Sequence, residues 1–236
     1  MSDRAEIARV PITRAQTRAT YDRISRHYEL LEGFWERPAR RVGLAALAPA
    51  PGETMLGIGC GPGYALVEIA RAAGPNGRAV GVDLAEGMCR LARGRLTREG
   101  LPGRAEVVHG DASCLPLATG SFDGAFMSFV LELFDTPQIP FVLAECRRVL
   151  RPGGRLVVVS LSKAGPDSSV RRLYERGHER FPRLLDCRPI YAARALDEAG
   201  MTITSGRTAS LWGLPVEVVL SRTSTHGGNP AAASAL

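Results

Sequence analysis

Between residues 54 and 160 the chain alternates short runs rich in Val, Ile and Leu with longer stretches of helical spacing, and this restricts its fold more than any other feature. The apolar runs fall at 54–58, 79–82, 105–109, 124–130 and 155–160, with helical stretches at 64–73, 85–99 and 139–150. Such runs have the length of strands and are too short for buried helices. Strands that read as continuous apolar segments are covered on both faces, which is the condition of a parallel sheet with helical crossovers. The fold expected is α/β, a doubly wound and mostly parallel sheet. Two further strand-like segments, 201–206 and 216–221, flank a loop with Trp212 and Pro215 and read as an edge hairpin, which brings the sheet to seven strands.

A chain of 236 residues, 45% apolar and 23% charged, suits one folded core. No run approaches the roughly 18 to 20 apolar residues of a membrane span, and the charged start lacks the apolar segment of a signal peptide. A cytoplasmic location is therefore expected. The five cysteines (Cys60, Cys89, Cys114, Cys146, Cys187) form no C-x-x-C pair and read as reduced, mostly buried thiols. The net charge of +6 comes from arginines spread along the chain, Lys163 being the single lysine. Pairs such as Arg40-Arg41, Arg147-Arg148 and Arg171-Arg172 are short and interleaved with acids, unlike the stripe of a nucleic-acid surface. Nucleic acid is not the expected partner.

Chemistry concentrates at strand ends. Met55-Leu56-Gly57-Ile58-Gly59-Cys60-Gly61-Pro62-Gly63 runs from a strand through a glycine turn into a helix, where glycines admit a ligand close to the backbone and the helix start offers unpaired N–H groups. Alone, such a turn also serves a purely structural role. Asp83 follows Gly63 by twenty residues at the end of the next strand, where a carboxylate can accept from two ribose hydroxyls. A helix N-cap is its alternative role. Gly110-Asp111-Ala112 ends the third strand at the same sheet edge, so three strand ends direct polar groups into one crevice.

The glycine turn, Val80-Gly81-Val82-Asp83-Leu84, Gly110-Asp111-Ala112, Ser121-Phe122-Asp123 and Arg148-Val149-Leu150-Arg151-Pro152-Gly153-Gly154 resemble the ordered motifs of class I S-adenosylmethionine-dependent methyltransferases. Tyr21-Asp22-Arg23-Ile24-Ser25 with Tyr28 resembles the opening of the ubiquinone and menaquinone biosynthesis methyltransferases and their small-molecule relatives. The resemblance implies a Rossmann-like core over 49–222, with an amino-terminal helical lid over 1–48, where Ile7, Tyr21, Ile24, Tyr28 and Leu31 recur at helical spacing, closed by Pro49-Ala50-Pro51-Gly52. Within the core it implies a substrate insertion over 161–199, and the Ala/Gly-rich residues 223–236 are expected to be disordered. It further implies S-adenosylmethionine as cofactor: Gly59, Cys60, Gly61 and Gly63 at its methionine portion, Asp83 at the ribose, Asp111 and Ala112 at the adenine, Leu84 and Met88 packing near that ring, and Ser128, within 127–131, beneath the sulfonium. The chain departs from the pattern at Gly57, where family members usually carry an acidic residue that anchors the methionine end.

Methyl transfer from a sulfonium needs alignment and exclusion of water, without a metal, and a base where the acceptor carries a proton. Glu132 is the first candidate base, with pairing to an arginine as its structural alternative. His27, Tyr28 and His178 follow, with packing or a solvated helix face as their ordinary roles. The aromatic residues Tyr174, Phe181 and Tyr191 of the insertion could line a pocket for a small hydrophobic or aromatic acceptor, and Arg188 could meet an acidic group. A nicotinamide-dependent dehydrogenase would want G-x-G-x-x-G, and here Tyr64 stands at the third glycine's place. A drifted, non-methylating protein of the same fold, or an RNA methyltransferase, remains the alternative to small-molecule methylation.

Overall fold

The computed structural model describes residues 7, 9–10, 13–23, 36–164, 169–180, 187–211 and 213–225. A helix, α1, runs over 14–23 within the described part of the amino-terminal region. After it come α2 (Arg37–Leu47), β1 (Thr54–Ile58), α3 (Tyr64–Ala73), β2 (Arg78–Asp83), α4 (Glu86–Arg98), β3 (Ala105–His109) and β4 (Phe122–Ser128). The rest is α5 (Ile139–Val149), β5 (Leu150–Leu161), α6 (Ser169–Arg180), α7 (Ala192–Glu198), β6 (Thr202–Leu211) and β7 (Leu214–Arg222).

The seven strands form one sheet in the order β3-β2-β1-β4-β5-β7-β6, parallel from β3 to β5, with β7 antiparallel to both β5 and β6. The expected edge hairpin is β6–β7. Two buried clusters cover the faces, as the continuous apolar runs require. Leu56, Ile58, Val80 and Val82 point toward α5 and α7, whereas Met55 and Ala79 point toward α2, α3 and α4. Gly57 and Gly81 are paired across β1 and β2 on the second face. A Cβ at Gly81 would lie 2.7 Å from Leu66 of α3, so glycine there sets how closely that helix packs.

Several boundaries shift for identifiable reasons. Residues 151–154, which separate the helical stretch 139–150 from the apolar run 155–160, are part of β5: the pairing jumps from Phe122↔Leu150 to Gly124↔Arg155, and Gly153 at φ +75 absorbs the surplus chain as a bulge. The tail expected to be disordered from 223 is held at its start, because Thr223 donates from its N–H to Gly154 O at 2.9 Å and from Oγ1 to Arg151 O at 2.8 Å. Residues 226–236 lie outside the described residues. All five cysteines are thiols; Cys60, Cys89 and Cys146 are buried, Cys187 is half-buried and Cys114 is exposed, in keeping with mostly buried thiols. Burial pushes the thiols of Cys89 and Cys146 up to about 12, which keeps them protonated and inert. No helix among the described residues is long and apolar enough to cross a membrane.

Candidate functional site

Because β1 and β4 neighbour each other while their following crossovers lead to opposite sides of the sheet, a crevice opens at their carboxyl ends. A cavity of about 380 Å³ occupies it. Its floor is built from the ends of four strands: Gly59 and Gly61 after β1, Asp83 and Leu84 at β2, Gly110 to Ala112 after β3, and Ser128 to Val130 after β4. Met88 of α4 and Leu133 and Phe134 beyond β4 add apolar wall.

The backbone there has been shaped to let the walls approach. Gly59 adopts φ +60, and a Cβ on it would lie 2.3 Å from Val130 Cγ2. Phe129 holds φ +54, a left-handed conformation that costs a bulky residue roughly 1 to 3 kcal/mol and is concentrated at functional sites. Its N–H donates to Val159 O at 2.8 Å, so the turn is fixed to β5 while Val130 to Phe134 wrap across the cavity.

Two carboxylates dominate the polar side. Asp83 accepts from Gly61 N–H on Oδ2 at 2.8 Å and from Ala85 N–H on Oδ1 at 2.9 Å, tying the glycine turn to the start of α4. Burial at the cleft floor pushes its carboxyl above the ordinary range, against the downward pull of those two amides. A carboxylate offers about four lone-pair directions. Two amides leave Asp83 able to take two further donors. Asp111 is different: burial opposes its ionisation, but Ser113 and the Arg14 guanidinium outweigh that and hold it below the ordinary carboxylate range. It accepts from Ser113 N and Oγ at 2.8 Å each and pairs with Arg14.

The near wall comes from α1. Thr13, Arg14, Thr17, Arg18 and Tyr21 line the cavity at the spacing of one helix face. Arg14 also lies 5.4 Å from the Phe134 ring centroid, and Asp22 Oδ1 accepts from Gly87 N at 2.7 Å in the first turn of α4. These contacts dock α1 at both ends. Nothing in the sequence marks Arg14 among so many arginines, and its role was not foreseen; Tyr21 and Asp22 belong to the opening motif and could have been read as its contact residues.

Of the ten expected cofactor residues, Gly59, Gly61, Asp83, Leu84, Met88, Asp111, Ala112 and Ser128 border this one cavity. Gly63 and Cys60 do not. Gly63 caps α3 at φ +86, and a Cβ there would press on Ala92 of α4 at 3.1 Å, so it serves helix packing. Cys60 is buried, its N–H donating to Val82 O at 3.0 Å, and it borders a smaller chamber that shares Gly59 and Ser128 with the main cavity. Asp83 is not the N-cap of α4, a position held by Ala85.

The proposed bases are placed otherwise. Glu132 is fully buried and accepts from Leu161 N–H at 3.1 Å; it braces the end of β5 and is not a wall of the cavity, which corrects its reading as the base. His178 is 2% exposed on α6, neither solvated as expected nor in the cavity. His27 and Tyr28 lie outside the described residues, as do Phe181 and Trp212. No described residue of 161–199 lines the cavity. Arg188 within it is fully buried and donates to Phe134 O at 2.6 Å, so it supports the wall from behind rather than meeting a substrate acid. Burial lowers its pKa to about 10 against the upward pull of Asp135 and Glu132.

Comparison with known proteins accords with this geometry. Residues 55–154 match the methyltransferase domain family. The chain is 34% identical to the demethylmenaquinone methyltransferase of Clavibacter sepedonicus, over 73% of its own length and 67% of that protein's. It belongs to the S-adenosylmethionine-dependent methyltransferase family. The chain spans only 41% to 59% of the length of several other curated relatives it matches. Among solved structures, the 1,6-didemethyltoxoflavin-N1-methyltransferase of Burkholderia thailandensis, with 1,6-didemethyltoxoflavin and S-adenosylhomocysteine bound, superposes with a TM-score of 0.70 at 21% identity, covering 92% of this chain and 95% of that one. The (4+2)-cyclase SpnF superposes with a TM-score of 0.72 at 18% identity, covering 91% and 98%. At these identities the likeness is one of fold.

Proposed function

We propose that the cavity binds S-adenosylmethionine and that the chain transfers its methyl group to a small organic acceptor. The observation that carries this reading is the convergence of Gly59, Gly61, Asp83 and Asp111 from three consecutive strand ends on one cleft. The residues present fit an adenosyl ligand. A Cβ at Gly59 would collide with Val130 of the cavity wall, and the buried Asp83 carboxylate, which accepts from two backbone amides, has acceptor capacity left for two vicinal hydroxyls. When bound, the cofactor supplies an activated methyl group on a sulfonium.

In this reading Asp83 holds the ribose, Leu84 and Met88 flank the adenine, and Asp111 with the Ala112 backbone reads its edge. Phe129, Val130, Leu133 and Phe134 exclude water beside the cation, which strengthens every electrostatic contact in the cleft. The same apolar wall supports an acceptor that is hydrophobic or aromatic, and the methylated molecules named for the relatives, demethylmenaquinone and 1,6-didemethyltoxoflavin, are small organic compounds. The helix α1 acts as the lid, latched by Arg14 on Asp111. Calorimetric titration of the chain with S-adenosylhomocysteine, followed by mass spectrometry of phenolic and quinol acceptors incubated with S-adenosylmethionine, tests the proposal. A mass gain of one methyl group is expected, and failure of S-adenosylhomocysteine to bind would overturn it.

A further inference from the structure

Along α5 the buried positions are Ile139, Val142, Leu143, Cys146 and Val149, the stripe of a helix laid on a sheet, and Phe141 falls outside it. Its ring is 68% exposed, one of three large apolar side chains so placed among the described residues. Exposed aromatic rings concentrate where one protein surface meets another. Phe141 stands at the rim of a second cavity, of about 590 Å³, on the α5 and α7 side of the sheet. No described residue lines both this cavity and the ligand cleft.

The cavity has an apolar floor, and the guanidiniums that border it are already matched. Ile139 and Ile190, both buried in the core, form the floor, and Tyr191, Ala195 and Ala199 flank it. Arg9 donates from Nη2 to Asp135 at 2.6 Å and Arg194 from Nε to Glu198 at 3.0 Å, so neither guanidinium is held ready for an anionic small molecule. What the surface offers instead is its own complement. A knob and a hollow within one patch meet the requirement of an isologous contact, in which the same surface serves both copies. The charge pattern of α7 fits as well: Arg194 and Glu198, each about half-exposed, border the hollow one turn apart. A second α7 laid antiparallel to the first sets Arg194 opposite Glu198 of the second copy at both ends. Ala195 and Ala199 on the same side present no long side chain to hold the helices apart.

We infer that this surface is the contact of a symmetric homodimer: Phe141 of each copy enters the groove of the other, and each Arg194 faces Glu198 of the second copy. The two copies thereby bury the exposed ring and the apolar floor together, giving an interface with an aromatic centre and a charged rim. The cleft contributes no residue to the contact, which therefore does not depend on what the cleft binds.

Sedimentation equilibrium of the full chain at roughly 10 to 100 µM, above the weak end of the range for interfaces of ordinary size, tests it. Twice the mass of one chain is expected. Phe141→Asp places a carboxylate in the groove and should leave monomer alone, with the circular dichroism spectrum unchanged because the ring is exposed within one copy. Arg194→Glu sets like charges opposite each other and should weaken association at least about tenfold, and adding Glu198→Arg should restore it. A wild type that stays monomeric throughout that range overturns the interface, whether the groove then serves a small apolar ligand or nothing. A dimer that survives Phe141→Asp lies on another face and also overturns it. If Phe141→Asp loses the native spectrum, the charge pair decides: weakening followed by recovery upholds the interface, and a dimer indifferent to both charge variants overturns it.

Discussion

Asp83 couples three parts of the cleft through one carboxylate: the glycine turn at Gly61, the start of α4 at Ala85, and the space above β2. Burial raises its pKa because the charge is kept from water, and hydroxyl donors from a ligand would favour the charged form. Asp83→Asn retains an acceptor for one amide but loses the charge. The expected outcome is a loss of about 1.5 to 3 kcal/mol in calorimetric affinity for S-adenosylhomocysteine, with the fold intact by circular dichroism. Undiminished affinity would remove Asp83 from the site. This residue was legible in the sequence because a carboxylate at the end of a second strand has a specific meaning after a glycine turn. Glu132 was not: the same one-letter neighbourhood, 130–134, fits a wall of the cavity and a buried strut equally, and only the position of Leu161 N–H decides between them. Arg14 was invisible for a related reason, since its partner Asp111 is 97 residues away.

At the scale of elements, α2 packs closely against β4 and β5. Gly43 permits it: a Cβ there would come within 2.5 Å of Val159 Cγ2 and 2.8 Å of Phe126 Cε2. Gly43→Ala removes a helix-weakening residue yet forces α2 off β4 and β5, and overpacking of this kind costs about 1 to 3 kcal/mol, against at most about 1 kcal/mol gained in helix propensity. A net loss of stability in urea unfolding is expected, and a more stable variant would show that α2 does not pack as described. The helix α1 illustrates the same dependence. Its periodicity predicts a helix, but its docking over the cleft comes from Arg14–Asp111 at one end and Asp22–Gly87 at the other. Those pairings join residues far apart in the chain, and no spacing within 14–23 encodes them. The bulge at Gly153 likewise looks like a turn in sequence, because glycine at positive φ serves both.

The whole molecule is one sheet with two covered faces, and its ligand cleft is distributed over four strand ends and two helices. Binding across so many elements stabilises the folded state as a unit. With S-adenosylhomocysteine at about a hundredfold excess over its dissociation constant the gain is about 2.7 kcal/mol. For a chain of this size that corresponds to a rise in melting temperature of roughly 5 to 10 °C. A melting curve indifferent to the ligand would show that the cleft is not its site. By itself the sequence determined the strand and helix alternation, the edge hairpin and the acidic residues at strand ends, because each of these is written in local periodicity or in the residue that must end a strand. Tertiary structure alone decided which charged groups face the cleft, which are struts and which pair across the chain. Those assignments depend on distances between segments that only the packed sheet brings together.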